Sequence, residues 1–168
     1  MNKKIKIKIK IADIFSFINA FLGFFAIITI FRIGNFYLVS FLLFLAVIID
    51  FIDGKIARKF KHANEFGKNI DSLADIVSFG VAPAILLQQF LSGYAVFVPF
   101  LLIIGGIYRL ARFNISKEKY FIGLPITFNG FIIPLFYVLG ILNGNISILL
   151  SIVLFILMIS KLKIKKIL

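Results

Sequence analysis

Six stretches dominated by apolar residues, at about 12–31, 36–54, 69–91, 94–113, 127–142 and 145–160, alternate with short polar interruptions along the chain. An apolar run of roughly 18 residues or more crosses the ~30 Å hydrocarbon core of a bilayer as a helix. The pattern therefore predicts an all-α, polytopic membrane protein with six transmembrane helices. No Ser/Pro-rich linker or internal repeat divides it, so residues 1–168 are expected to form one membrane domain. The opening KKIKIKIKIADIF alternates with period two, which in a soluble chain would suggest a strand. Ahead of a span it is expected to lie at the interface as a basic segment, its lysines reaching the headgroups. The tail KLKIKKIL reads as a second basic interfacial segment. The apolar run after the basic head leads into further membrane, with no small-residue cleavage site, so no cleavable signal peptide is expected.

Composition agrees with the pattern. Hydrophobic residues make up 61% of the chain, phenylalanine accounts for 22 positions, and the mean hydropathy is +1.08. Soluble domains sit near ~45–50% apolar, which excludes an ordinary water-soluble globule. There is no cysteine, hence no disulfide framework, thiolate metal site or thiol nucleophile.

The net charge of +12 would admit nucleic acid as a partner, but its placement points to topology instead. Lys3, Lys4, Lys6, Lys8 and Lys10 precede span 1, and Lys55, Arg58, Lys59, Lys61 and Lys68 lie between spans 2 and 3. Arg109, Arg112, Lys117 and Lys119 lie between spans 4 and 5, and Lys161, Lys163, Lys165 and Lys166 follow span 6. Arg32 alone falls on the opposite side. This is the positive-inside pattern; it supports six spans with both termini cytoplasmic and argues against nucleic acid.

Acids are scarce and concentrated. Of seven, Asp13, Asp50, Asp53, Glu65, Asp71, Asp75 and Glu118, five lie between positions 50 and 75. Asp50/Asp53 and Asp71/Asp75 are spaced i,i+3 and i,i+4, which puts each pair on one helix face. A short loop between two antiparallel helices can bring the pairs face to face. Four uncompensated carboxylates at a membrane edge are costly. Protonation or bound cations relieve that cost. Oxygen ligands without nearby His or Cys favour Mg²⁺, Mn²⁺ or Ca²⁺ over Zn²⁺. Four carboxylates match two divalent ions, a pairing used in phosphoryl chemistry. Gly54 and Ala57, one turn after Asp50 and Asp53, and Gly67, one turn before Asp71, leave the acidic face open to a ligand. Arg58 suits a phosphate. Together these residues describe a diphosphate site with two metals.

The segment DFIDGKIARKFKHANEFGKNIDSLAD has the spacing D-x2-D-G-x2-A-R-x8-G-x3-D-x3-D. It resembles the signature of the CDP-alcohol phosphotransferase family at all eight positions, and that family's six-helix architecture fits the span count. The resemblance implies attack of an alcohol hydroxyl on the β-phosphorus of a CDP-linked lipid, with CMP leaving. It implies that Asp50, Asp53, Asp71 and Asp75 hold two divalent cations, Mg²⁺ or Mn²⁺, and that Asp75 also takes the hydroxyl proton. Gly54, Ala57, Arg58, Asn64 and Gly67 would contact the cytidine nucleotide, and a homodimer is implied.

Flanking segments FSFINAFLGFFAI, DSLADIVSFGVAPA, YRLARFN and FIGLPITFNG are most similar to the phosphatidylserine synthase branch, which implies L-serine as acceptor. Arg109 and Arg112 are then candidates for its carboxylate, and Ser78 and Asn19 for further acceptor contacts. Glycerol 3-phosphate or an inositol phosphate is the alternative acceptor. Intramembrane prenyltransferases share aspartate pairs but need more spans and lack the D-G-x2-A-R continuation. A divalent-cation or proton-coupled transporter is the non-enzyme alternative, because buried acids also mark ion paths.

Overall fold

The computed structural model describes the backbone of residues 11–59, 65–115 and 120–165, with side chains for 13–55, 65–115 and 122–162. The basic N-terminal segment, His62 and Asn64 lie outside the described residues.

The chain is a bundle of helices that reverse direction at short turns. Helix α1 (Ile11–Arg32) and α2 (Phe36–Lys59) form an antiparallel pair. Helix α3 (Glu65–Asp75), a π-helical stretch (Ile76–Val81) and α4 (Ala82–Gln88) follow one another without a break as a third rod. A 3₁₀ turn at Gly93–Phe97 leads into α5 (Phe100–Ile115), and α6 (Thr127–Val138) and α7 (Gly144–Ile159) complete the set. Four segments, Asp13–Arg32, Phe36–Lys55, Glu65–Gln88 and Gly93–Ile115, are long and apolar enough to cross a membrane. Helices α6 and α7 are apolar but shorter.

Two turns at the same end use one device. Gly34 ends α1 with φ of 69°, and its N–H donates to Thr29 O at 2.8 Å. Gly140 ends α6 with φ of 70°. A left-handed residue after the last turn lets orphaned carbonyls be satisfied, and only glycine adopts it without steric cost. An asparagine then starts the next helix: Asn35 Oδ1 accepts from Leu38 N, and Asn143 Oδ1 from Ile146 N, both at 3.1 Å. These caps satisfy N–H groups that the helix itself leaves unpaired.

The third rod is the axis of the bundle. Phe79, Ala82, Leu86 and Leu87 are fully buried, against Ala26, Val39, Leu43 and Ala46 of the α1–α2 pair and Leu102, Ile126, Ile133 and Met158 of α5 to α7. Outward positions such as Phe21, Phe31, Phe41 and Phe51 are exposed. That is the expected distribution where the surrounding solvent is lipid.

The π-helical stretch has a local cause. Ala82 N donates to Val77 O, five residues back, so the rod carries one extra residue in that turn. Proline at position 83 has no N–H, so the carbonyl of Phe79 loses the partner a regular helix would provide. Asn129 of α6, fully buried, fills the gap: its Nδ2 donates to Phe79 O at 3.0 Å.

Opposite the glycine turns, the helix ends are wired to one another. Lys68 Nζ donates to Phe113 O and Asn114 O at 3.1 and 3.0 Å, placing a cation on the C-terminal carbonyls of α5. Strands β1 (Tyr120–Ile122) and β2 (Lys163–Lys165) form a three-residue antiparallel ribbon with Tyr120 opposite Lys165. Lys163–Lys165 of the basic tail are therefore paired strand, and this ribbon is the one sheet among the described residues.

Candidate active site

The C-terminal end of α2, the C-terminal half of α3, the start of α1 and the end of α5 meet at the wired end of the bundle. Asp50 and Asp53 come from α2, and Asp71 and Asp75 from α3. The i,i+3 and i,i+4 spacings turn both pairs toward the shared interior. Carboxylate oxygens of Asp50, Asp53 and Asp71 lie within 4.8 Å of one another. Asp75 stands one turn deeper, buried, with its side chain in hydrogen-bonding reach of Asp50. The two pairs face each other, as their spacing predicts.

The donor set fits a divalent cation. Three carboxylates converge, and Asp71 Oδ1 is buried without a hydrogen-bond partner. A buried carboxylate oxygen without a donor is costly unless a cation coordinates it.

Helix α1 supplies the wall over these acids. Asp13, Ser16 and Asn19, at i, i+3 and i+6, are all buried on one face of an otherwise apolar helix. Ser16 Oγ donates to Asp53 Oδ2 at 3.2 Å, and Asn19 Nδ2 donates to Asp75 Oδ1 at 3.2 Å. Close approach of α1 is made possible by Gly23, where a Cβ would stand 2.6 Å from Ser78 Cα. Ser16 is absent from the residues that the sequence motifs single out. A polar residue repeating every third position in a transmembrane helix is the signal that marks it.

Arginine 109 is buried, with its charge in range of Asp75, Asp50 and Asp71. Its guanidinium also lies 5.5 Å from the Phe113 ring centre. Arg112, its expected companion, is placed differently. Arg112 Nη1 donates to Ile159 O at 3.2 Å, and Nη2 to Ile122 O, Met158 O and Ser160 O at 2.7, 3.2 and 3.1 Å. The side chain points to the end of α7 and the ribbon, because those carbonyls have no partner in their own helix. The Ser78 hydroxyl donates to Asn19 O at 2.7 Å inside the core. Asn19 reaches the site through Asp75.

Of the expected nucleotide contacts, Gly54 is half-buried, and a Cβ there would meet nothing within 4 Å among the described residues, which leaves room on the acidic face. Gly67 lies in the first turn of α3. Ala57 and Arg58 belong to the last turns of α2, with side chains outside the described residues, as is Asn64.

Comparison with known proteins bears on this geometry. The model of the CDP-alcohol phosphatidyltransferase family matches residues 9–161. An archaetidylserine synthase from Methanothermobacter thermautotrophicus is 37% identical over 96% of this chain and 72% of its own length. A CDP-diacylglycerol–serine O-phosphatidyltransferase from Methanocaldococcus jannaschii is 39% identical over 94% of this chain and 75% of its own. One of the same name from Saccharomyces cerevisiae is 36% identical over 68% of this chain and 48% of its own. With a match over nearly its full length and the aspartate pairs converged in space, the chain belongs to the CDP-alcohol phosphatidyltransferase family.

Proposed function

We propose that this enzyme transfers the phosphatidyl or archaetidyl group of a CDP-linked lipid to the hydroxyl of L-serine, releasing CMP. The observation that carries the reading is the convergence of Asp50, Asp53 and Asp71, with Asp75 one turn deeper. The names of the two relatives matched over most of this chain, an archaetidylserine synthase and a CDP-diacylglycerol–serine O-phosphatidyltransferase, support the serine acceptor.

The serine oxygen forms a bond to the β-phosphorus, and the bond from that phosphorus to the bridging oxygen of CMP breaks. Asp75 accepts the hydroxyl proton. Its Oδ1 accepts from Asn19 Nδ2, which fixes the orientation of the carboxylate. Proton removal by a positioned carboxylate contributes about 10²–10⁴-fold. Asp50, Asp53, Asp71 and Asp75 would hold two divalent cations, Mg²⁺ or Mn²⁺, which when bound neutralise the diphosphate and the CMP leaving group. Gly54, Ala57, Arg58, Asn64 and Gly67 are assigned to the cytidine nucleotide.

Arg109 is the residue assigned to the serine carboxylate. Among the described residues it is the arginine whose charge faces the aspartates, while Arg112 is bonded to four carbonyls. One guanidinium suits a carboxylate; a phosphorylated acceptor calls for a more basic pocket. Arg112 and Ser78 serve this pocket by fixing the backbone around it.

The single membrane domain spans residues 1–168 with six helices. Gly144 packs against the backbone of Phe90, which supports placing the α6–α7 turn at the far end from the acids, as six crossings require. Both termini and the site then lie on the cytoplasmic side, with the donor's tails in lipid, and the enzyme works as a homodimer.

The deciding experiment measures CMP release by the purified enzyme from a CDP-lipid, supplied separately with serine, glycerol 3-phosphate and inositol phosphate. Serine-dependent release is expected. Release with a phosphorylated acceptor and none with serine refutes the assignment. Metal flux without CMP release would mark a transporter instead.

A further inference from the structure

Hydroxyls in these helices have an ordinary resting place, the carbonyl four residues earlier in their own helix. Thr29 donates to Phe25 O at 2.8 Å, Ser40 to Phe36 O at 2.9 Å and Ser151 to Ser147 O at 2.7 Å. Ser16 departs from this habit. Its Oγ donates across to Asp53 Oδ2 at 3.2 Å, and a carboxylate oxygen of Asp71 lies within 4.8 Å of one of Asp53. Asp53 belongs to α2 and Asp71 to α3, so one hydroxyl from α1 bonds an acid at the point where two other helices bring their acids together. Both acids belong to the converged trio.

We propose that Ser16 is a positioning residue of the metal cradle, a hydroxyl on α1 that holds the Asp53 carboxylate in place beside Asp71 for a divalent cation. The inference rests on the metal-binding reading of the acids given above. The physical argument has two parts. Like charges at the ends of two helices push the helices apart, and an O–H donated to Asp53 offsets part of that repulsion when no cation is bound. Once a cation is bound, the same bond occupies one oxygen of Asp53 and orients the other inward. Removal of such supporting hydrogen bonds around a metal site lowers affinity by about 10–100-fold. Ser16 touches neither lipid surface nor helix backbone partner in this role; its burial is explained by the acids it meets.

The test is Mn²⁺ binding to the full-length protein in detergent, without substrate, followed by the electron paramagnetic resonance of free Mn²⁺. Ser16→Ala is expected to bind Mn²⁺ roughly tenfold more weakly than the parent. Ser16→Thr, which keeps the hydroxyl, is expected to bind within about threefold of it, and Ser40→Ala, which removes a hydroxyl bonded only to its own helix, to match it. If Ser16→Ala does not fold, Ser16→Cys keeps the volume, gives up the strong donor and reads the same quantity. Parent-like affinity in Ser16→Ala or Ser16→Cys overturns the inference while leaving the cradle intact. No Mn²⁺ binding by the parent overturns the cradle itself, and the inference with it.

Discussion

In the proposed reaction Asp75 has two tasks that pull in different directions, to hold a place in a cluster of negative charge and to accept a proton. It stands one turn below Asp71, and its Oδ1 accepts from Asn19 Nδ2. Asp75→Asn keeps the shape and removes the proton acceptor, so CMP release is expected to fall by about 10²–10⁴-fold while the protein still folds. A stopped assay for CMP, with circular dichroism as the folding control, reads both. The two arginines are expected to split. Arg109→Gln should raise KM for serine by about tenfold or more, because a charge-assisted hydrogen bond is worth ~1.5–3 kcal/mol. Arg112→Gln should lower thermal stability in detergent and leave KM for serine nearly unchanged, since that side chain meets carbonyls. The four aspartates are legible in the sequence because charge in an apolar run has few structural uses. The difference between Arg109 and Arg112 is not, because three residues apart on one helix they carry the same sign and size. What separates them is the end of α7, some fifty residues later.

At the scale of elements, the contact between α1 and the third rod is the most demanding. A Cβ at Gly23 would meet the Ser78 backbone, and the backbone there cannot retreat as a flexible side chain can. Gly23→Val is expected to push α1 away, break the Asn19–Asp75 bond and remove activity, with a lower melting temperature as the independent measure. Asn129→Ala leaves the Phe79 carbonyl without its donor. Polar contacts between membrane helices average about 0.6 kcal/mol and reach about 1.7, so a modest loss in thermal unfolding is expected, with Mn²⁺ affinity retained. Span positions follow from hydropathy: the helices at 11–32, 36–59 and 65–88 cover the predicted 12–31, 36–54 and 69–91 within a few residues. The third begins earlier, because Glu65 opens its first turn ahead of the apolar run. The π-helical stretch is harder to read. Pro83 marks where a hydrogen bond is lost, but the residue that replaces it comes from α6.

For the whole molecule, the proposed six-crossing topology makes a prediction that this sequence is well suited to test, since it contains no cysteine. Single cysteines at Tyr94 and Asn145, both exposed, are expected to react with a membrane-impermeant maleimide from outside the cell, and one at Lys161 only after the membrane is opened. Reaction at Tyr94 but protection at Asn145 would mean that α6 and α7 do not cross. Chelation is expected to stop CMP release, and Mg²⁺ or Mn²⁺ to restore it. Charge asymmetry carries the expected orientation, because it depends on composition at the ends of segments. The ribbon of 120–122 with 163–165 depends on two distant basic stretches meeting, and alternation in either one alone cannot announce it. Finally, the additional residue absorbed between Asp75 and Pro83 uncouples the phase of the rod on its two sides. With each residue of a regular helix turning the chain by about 100°, the aspartates and the apolar half beneath them could not otherwise be aimed independently. A family member that drifts in its lipid-facing half can thus keep its acids in aim.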